Sequence, residues 1–374
     1  CVNAATLLAS KGFFSNVITC SYHVLVVDEY QDCTSAQQDF ILALSNAIPK
    51  TIVLGDRLQR ILDFGKEPFP NWENEVEGAF TRFEINEFTP FRWIGNNEEL
   101  GRWLLEYVRP RLLEGENIDF GTSSKGVKEV RCANRELLNS TSYEARRLRN
   151  LPGDLLVLYK TSAPGIGTRL CKRLGKGFAY MEDLNGSFIR KRVEQYDNFP
   201  DPKPTAYWLA LLAKECFSGF GTHALDNTVM NALKNGKDLS RYKAARPDFS
   251  VALDCLDELQ RRNDPQRFSK ACDAIVNSPV SNLYRREAWQ DGTVSVKKSL
   301  TSGCCAAEEY SLVNTMKRHQ SRRDTKSVVS RTVLVKGLEY NNVVISDFDA
   351  LGSIQNQYVA LTRASSALSV IVRH

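Results

Sequence analysis

The spacing of apolar and polar positions near the amino terminus predicts two strands of a parallel sheet with a helix between them. The stretch from His23 to Val27 is apolar or β-branched enough for a buried strand. A helical stretch from Ser35 to Ile48 follows, is closed by Pro49, and leads into a second apolar strand, TIVLGD. Carboxylates cannot continue inside a buried strand, so the acidic run DEYQD directly after Val27 falls at the carboxyl edge of the sheet.

Two adjacent acids, Asp28 and Glu29, open that run and are candidates for magnesium chemistry. Open α/β sheets bind ligands at the carboxyl edge of their strands, so the acids stand where a nucleotide would lie. Magnesium prefers hard oxygen ligands and keeps several waters, which suits Asp28 as the metal ligand and Glu29 as the group that polarises an attacking water. The alternative is an acidic strand end that only faces solvent.

Four short runs follow one another in a specific order: DEYQD at 28–32, GDRLQ at 55–59, KGLE at 336–339 and YVALTRA at 358–364. This order resembles the UvrD/Rep/PcrA group of superfamily 1 DNA helicases, whose second motif reads DExQD and whose third begins GDxxQ. A less regular run, FEINEFTPFRW, stands where that group has its fourth motif. The resemblance implies two RecA-like domains and an enzyme that uses ATP and Mg²⁺.

The resemblance also implies roles for residues in the first two runs. Asp28 would bind Mg²⁺ and Glu29 would activate water, with Gln31 of the same run among the nucleotide-binding residues. Gln59 would sense the terminal phosphate, and Asp56 would help couple that sensing to DNA. The four elements DEYQD, GDRLQ, KGLE and TRA together favour a catalytic protein, since a binding module does not need all four.

Three charged residues further along the chain are nucleotide-site candidates by the same resemblance. Arg92 would contact the γ-phosphate, Glu339 would lie on the nucleotide side, and Arg363 would be an arginine finger that reaches across a domain cleft to the transferring phosphoryl group. The alternatives are an ordinary cation flanked by core aromatics for Arg92, a loop or helix salt bridge for Glu339, and a surface arginine for Arg363.

The motifs that would contact DNA depart from the pattern of the group. Phe64 is the candidate for stacking on a base, with burial in the core as the alternative, and Leu62 replaces the usual Tyr. A basic run from Lys317 to Lys336 could follow the phosphates of a single strand, or it could be a solvated loop. Within it, Arg331 and Lys336 are the DNA-binding candidates, and Arg331 stands where the group commonly has Thr.

The phosphate-binding loop of such enzymes ends in GK[ST], and no GxxxxGK[ST] segment occurs in the 374 residues. In the group that loop precedes the DExQD strand by well over a hundred residues. The sequence is therefore interpreted as the carboxyl-terminal portion of a longer helicase, or as a product whose amino-terminal part was lost. By itself it is expected to hydrolyse ATP inefficiently.

The predicted fold class is α/β, with two RecA-like parallel-sheet domains, the first of them incomplete, and a mainly helical insertion in the second. Leu100, Trp103, Leu104 and Val108 lie on helical spacing and close the first domain. The boundaries are then 1–125 for the rest of the first domain, 126–196 for the start of the second, 197–300 for the helical accessory insertion and 301–374 for the completion of the second.

Composition restricts the remaining possibilities. The net charge of +5 permits nucleic-acid binding without establishing it. No apolar run approaches about 20 residues, so no membrane span is predicted and a cytoplasmic location is expected. Ten cysteines without a CxxC pair and four histidines without ligand spacing argue against a metal other than magnesium.

The leading hypothesis is an ATP-dependent DNA helicase or translocase that acts on single-stranded and partly duplex DNA, with 3′-to-5′ polarity expected from the resemblance. An alternative is a non-catalytic nucleic-acid-binding or regulatory pseudo-helicase, which would suit the absent loop and the altered DNA motifs. A third is a metal nuclease built on Asp28, Glu29 and Asp32, which is weaker because these acids are confined to one strand end.

Overall fold

The computed structural model describes residues 2–62, 67–83, 89–123, 125–159, 165–183, 186–220, 224–318 and 326–374. The chain divides into two compact units. Unit 1 comprises Cys1–Lys128, Lys336–Glu339 and Phe348–Ser366, and unit 2 comprises Glu129–Val335, Tyr340–Asp347 and Ala367–His374. These two units do not coincide with the four predicted segments, whose boundaries remain predictions.

The described residues form the following helices and strands. The helices are α1 (Val2–Ala9), α2 (Gly12–Ser21), α3 (Ser35–Ser45), α4 (Glu77–Ala79), α5 (Glu98–Arg102), α6 (Arg109–Glu114), α7 (Leu137–Arg149), α8 (Ile166–Leu174), α9 (Ser187–Asp197), α10 (Thr205–Cys216), α11 (Asn227–Lys234), α12 (Ser240–Lys243), α13 (Ser250–Arg261), α14 (Pro265–Asn277), α15 (Arg286–Ser302), α16 (Ala306–Arg318) and α17 (Ile354–Leu361). The strands are β1 (Val24–Val27), β2 (Lys50–Val53), β3 (Val127–Cys132), β4 (Leu155–Tyr159), β5 (Ala179–Tyr180), β6 (Phe217–Ser218), β7 (Asn282–Leu283), β8 (Ser327–Arg331), β9 (Tyr340–Ile345) and β10 (Ala364–Arg373).

Unit 1 contains the parallel pair β1 and β2, in which Val24 lies opposite Lys50 and Val27 opposite Val53. The helix between them, α3, begins with a reciprocal capping box, because the Thr34 hydroxyl accepts from the Gln37 N–H and the Gln37 carboxamide accepts from the Thr34 N–H. The α3 and β2 predictions are confirmed, although α3 ends three residues before Ile48.

The burial of β1 differs from the prediction. Leu25 and Val27 face a small core with Ile41 of α3, whereas Val24 and Val26 are 48% and 56% exposed. The prediction of a strand buried as in the middle of a parallel sheet is therefore wrong for β1. The physical reason is that β1 belongs to a sheet of two strands within the described residues, and only one of its faces is packed.

Most of the six-stranded sheet lies in unit 2, with the strand order β3-β10-β9-β4-β8-β5. Strand β4 pairs in parallel with β8 on one side and with β9 on the other, and β5 pairs in parallel with β8. The uninterrupted apolar run after Asp154, DLLVLY at 154–159, predicts a strand that is buried on both faces, and every residue of β4 is buried as predicted. The predicted α/β class with parallel sheets is likewise confirmed.

The long segment between β5 and β8 is mainly helical and has a core of its own. Apolar residues repeat there at helical spacing, which predicts buried helix faces. The structure buries them, with Ala252, Leu256 and Leu259 on α13 and Phe268 and Ala271 on α14. Trp208 of α10 is fully buried among them. None of the helices that the structure describes is long and apolar enough to cross a membrane.

Candidate functional site

The acidic run after β1 begins with a constrained backbone turn. Glu29 has φ 54°, in the left-handed region, and its N–H donates to the Asp28 carboxylate over 2.8 Å. Such a conformation costs a non-glycine residue on the order of 1–3 kcal/mol and persists where surrounding contacts determine it. Tyr30 supplies such contacts, because its buried ring lies in the core and its N–H donates to the Leu54 carbonyl. The turn leaves Asp28 and Glu29 exposed at the end of β1.

Gln31 joins the acidic run to the segment that follows β2. Its buried carboxamide donates through Nε2 to Glu29 Oε2 and accepts through Oε1 from the Asp56 N–H over 2.9 Å. Gly55 lies directly against this carboxamide, because a Cβ at Gly55 would be 3.0 Å from Gln31 Oε1. The predicted nucleotide-site residue Gln31 therefore orients Glu29 and fixes the start of the GDRLQ run.

Lys336 lies against the same acids. Its side chain is 10% exposed, its ammonium is 3.0 Å from Glu29 Oε2, and it also donates to Asp32 Oδ2. The other oxygen of Asp32, Oδ1, is buried and accepts no hydrogen bond from the part of the chain that the structure describes. The predicted assignment of Lys336 to DNA has no support from this geometry, in which its charge is directed at two carboxylates.

The segment 336–339 also contacts the two predicted nucleotide-site arginines. Glu339 Oε2 accepts from Arg92 Nε over 3.2 Å, and Arg92 Nη1 donates to the Thr362 carbonyl over 2.6 Å. Arg363 Nη1 donates to the Leu338 carbonyl over 2.8 Å. One short segment of unit 1 thus contacts residues from three of the predicted motifs: Glu29, Arg92 and Arg363.

Arg363 is only 1% exposed, which excludes the surface interpretation. Its remaining donors reach the Val359 carbonyl and the Thr362 hydroxyl. Burial and the positive charge of Arg92 lower the pKa of Arg363 to about 10, and the acids Glu29 and Glu339 act in the opposite direction. The guanidinium is still protonated at neutral pH, so a buried positive charge lies within electrostatic reach of the predicted catalytic acid.

Gln59 and Asp56 belong to a second polar cluster in unit 1. Asp56 Oδ2 accepts from Gln59 Nε2 over 3.1 Å and from Arg109 Nη1 over 2.8 Å, and Arg109 Nη1 also donates to the Tyr358 hydroxyl over 2.9 Å. The sequence analysis did not identify Arg109 or Tyr358 as site residues. Tyr358 stands inside the YVALTRA run, which is a usable signal, whereas Arg109 follows an apolar stripe and carries no recognisable pattern.

The structure does not test the remaining DNA-binding candidates. Arg331 belongs to unit 2, where its guanidinium pairs with Asp183. Phe64 lies outside the described residues, as do positions 319–325 of the predicted basic run. Their assignment to DNA stays a prediction.

The carboxylate oxygens at the end of β1 suit a magnesium ion that is shared with the phosphates of a nucleotide. Among the described residues, no group of three or more His, Cys, Asp or Glu side chains could hold a metal ion. Magnesium in phosphoryl-transfer sites is held by one or two carboxylates together with substrate phosphates and waters. Asp28 is exposed, and its Oδ1 accepts the Glu29 N–H, which leaves Oδ2 for such an ion.

Residues 1–73 match the model of the UvrD/REP helicase N-terminal domain. This segment contains Asp28, Glu29, Gln31, Asp56 and Gln59, so the resemblance predicted from the motifs is confirmed for that part of the chain. A comparison with curated proteins finds no match.

Proposed function

We propose that this chain, with its UvrD/REP helicase segment, is the motor part of an ATP-dependent DNA helicase or translocase. The observation that carries the proposal is the convergence on segment 336–339 in unit 1. Lys336, Leu338 and Glu339 contact Glu29, Arg363 and Arg92, respectively, although these three partners come from motifs far apart in the sequence. Two arginines and a carboxylate in one site are among the groups that enzymes of phosphoryl transfer use.

In the proposed reaction Asp28 would hold Mg²⁺, and the ion would supply positive charge against the phosphates. Glu29 polarises the attacking water. Its Oε2 already accepts from Gln31 and Lys336, so the carboxylate is oriented, and Oε1 is the oxygen for the water proton. Arg92 and Arg363 supply positive charge for the transferring group. Both arginines donate to protein carbonyls, so contact with a phosphate exchanges those bonds for bonds to an oppositely charged group.

Movement along DNA would follow from changes in this site as ATP is bound and released. Asp56 contacts the phosphate-sensing candidate Gln59, and the resemblance makes this pair the route from nucleotide to DNA. The expected substrate is single-stranded DNA next to a duplex, with 3′-to-5′ polarity. The 374 residues contain no GxxxxGK[ST] segment, so we expect the chain by itself to hydrolyse ATP inefficiently.

The proposal is tested by ATP hydrolysis with Mg²⁺, with and without single-stranded DNA, on the full-length protein that carries these residues. The informative variant is Glu29→Gln, which keeps the shape of the side chain but removes the carboxylate. We expect it to lower kcat by about 100-fold or more while nucleotide still binds. The matched control is Glu106→Gln, because Glu106 is an exposed acid of unit 1 outside the site.

Two outcomes would count against the proposal. DNA-independent hydrolysis that Glu29→Gln leaves unchanged would exclude this site as the catalytic one. DNA binding without any hydrolysis in the full-length protein would favour the non-catalytic binding module instead.

A further inference from the structure

Arg109, at the start of α6, makes two hydrogen bonds with the same nitrogen. Its Nη1 donates to Asp56 Oδ2 over 2.8 Å and to the Tyr358 hydroxyl over 2.9 Å. Its guanidinium also lies over the Tyr358 ring, with 5.3 Å between the Arg109 Cζ and the ring centroid. A planar, permanently charged group therefore joins two segments that are far apart in the sequence, and all three residues belong to unit 1.

On one side, Arg109 is a single contact away from Gln59. The Asp56 carboxylate that receives Arg109 also accepts from Gln59 Nε2 over 3.1 Å and from the Leu58 N–H over 3.2 Å. The Gln59 N–H donates to the Asp56 carbonyl, which closes the 3-10 turn of the GDRLQ run. Any displacement of the Asp56 side chain therefore moves the carboxamide of Gln59.

On the other side, Arg109 is close to Arg363 through α17. The Tyr358 carbonyl accepts from both the N–H and the hydroxyl of Thr362, the residue before Arg363. Arg363 Nε in turn donates to the Val359 carbonyl, in the same helix turn as Tyr358. The position of Tyr358 therefore sets the position of the Arg363 guanidinium.

The link between Asp56 and Arg109 is held by charge in a mostly buried place. Burial would lower the pKa of Arg109, but the hydrogen bond and charge of Asp56 and the bond to Tyr358 raise it overall. Burial would likewise raise the pKa of Asp56, but Arg109, Gln59 and the Leu58 N–H keep it below its usual value. Both groups stay ionised, and removing one leaves the other as an uncompensated buried charge.

We propose that Arg109 is a positioning residue that holds Gln59 and the turn after α17, which carries Arg363, in one fixed geometry, so that the Gln59 and Arg363 side chains reach the same phosphate group together. The inference rests on the proposed function, because Gln59 and Arg363 act on a nucleotide only if the protein uses one. The physical link itself does not depend on catalysis. Its test therefore has one measurement without nucleotide and one with it.

The first measurement is amide hydrogen exchange on the nucleotide-free 374-residue chain. We expect Arg109→Met to speed exchange in the peptides covering 56–62 and 358–363 together. The matched control is Arg111→Met, because Arg111 lies in the same helix and pairs with Glu116 at the surface. Tyr358→Phe removes only the hydroxyl and should speed exchange in the second peptide alone. If Arg109→Met changes neither peptide more than the control does, the link is refuted.

The second measurement is steady-state ATP hydrolysis by the full-length protein. We expect Arg109→Met to lower kcat by about tenfold or more while KM for ATP changes little, since misplacement of reacting groups acts on the chemical step. Arg109→Lys should restore part of the rate. In a protein that already carries Gln59→Ala, Arg109→Met should lower kcat by a smaller factor, because one of the two positioned groups is already gone.

The outcomes separate the two claims. A wild-type protein without hydrolysis overturns the proposed function, and hydrogen exchange then decides the link alone. If kcat of Arg109→Met falls only in proportion to its melting temperature, the positioning role is overturned. It is also overturned if Arg109→Met lowers kcat by the same factor in a protein that carries Gln59→Ala. In both cases the proposed function stands.

Discussion

The side-chain carbonyl of Gln31 accepts a hydrogen bond from the backbone N–H of Asp56 over 2.9 Å. This bond joins the residues after β1 to those after β2, at the end of the sheet where the exposed acids lie. Because the other end of the same carboxamide donates to Glu29, Gln31 fixes a backbone segment and the side chain of the proposed catalytic acid at once. The relationship explains why a glutamine, with both a donor and an acceptor, suits this position.

Replacement of Gln31 by Leu tests this bridge. The N–H of the half-buried Asp56 would lose its acceptor, and Glu29 would lose one of its two donors. We expect the free energy of unfolding of unit 1 to fall by about 1–3 kcal/mol, which is the usual cost of a buried polar group without a partner. Thermal unfolding by calorimetry measures the change. An unaltered transition would mean that the bridge does not form in solution.

Gly55 allows a second test of the same packing. A Cβ at this position would lie 2.9 Å from the Trp72 ring and 3.0 Å from Gln31 Oε1, so one of them must move. We expect Gly55→Ala to lower the free energy of unfolding by about 1–3 kcal/mol, as overpacking usually does. In the control, Gly78→Ala, no atom lies within 4 Å of the new methyl group. Equal effects of the two substitutions would contradict the predicted crowding.

Local patterns were enough to predict much of the fold. The buried strand β4 and the stripes on α13 and α14 follow from apolar spacing alone, because burial repeats with the period of the element. The uncovered face of β1 did not follow from its sequence. An apolar run such as VLVV predicts a strand, but how many strands flank it and what covers each face depend on the rest of the fold.

The residues of the candidate site could be proposed from sequence where they belong to a recognisable motif, and could not where only the fold brings them together. Asp28 and Glu29 were recognisable from a strand that ends in acids. Arg109 was not, since its partners are 53 and 249 positions away in the sequence. Lys336 was assigned to DNA from its basic neighbourhood, yet only the tertiary structure places its ammonium beside Glu29.

The free energy of unfolding at acid pH should depend on Asp56. Its pKa is held below the usual value of about 4, so it binds a proton less readily in the folded state than in the unfolded one. Its contribution is therefore fully present above about pH 4 and is lost as the pH falls through the depressed pKa. We expect the unfolding free energy of Asp56→Asn to depend less steeply on pH below about pH 4 than that of the wild type. Parallel profiles of the two proteins would show that Asp56 is not paired in the native state.

Arg92 and Glu339 form an ion pair whose two members should respond differently to substitution. Glu339 is 62% exposed on its side chain, and its removal as Glu339→Gln should change the free energy of unfolding by less than about 1 kcal/mol. Arg92 is 25% exposed and also donates to the Thr362 carbonyl, so Arg92→Met loses a second bond. We expect Arg92→Met to lower the free energy of unfolding by about 1–3 kcal/mol more than Glu339→Gln does, because a charge-assisted bond to the carbonyl of the buried Thr362 is lost. Chemical unfolding of both variants measures the difference, and a larger effect from Glu339→Gln would show that the pair, rather than the carbonyl contact, holds Arg92 in place.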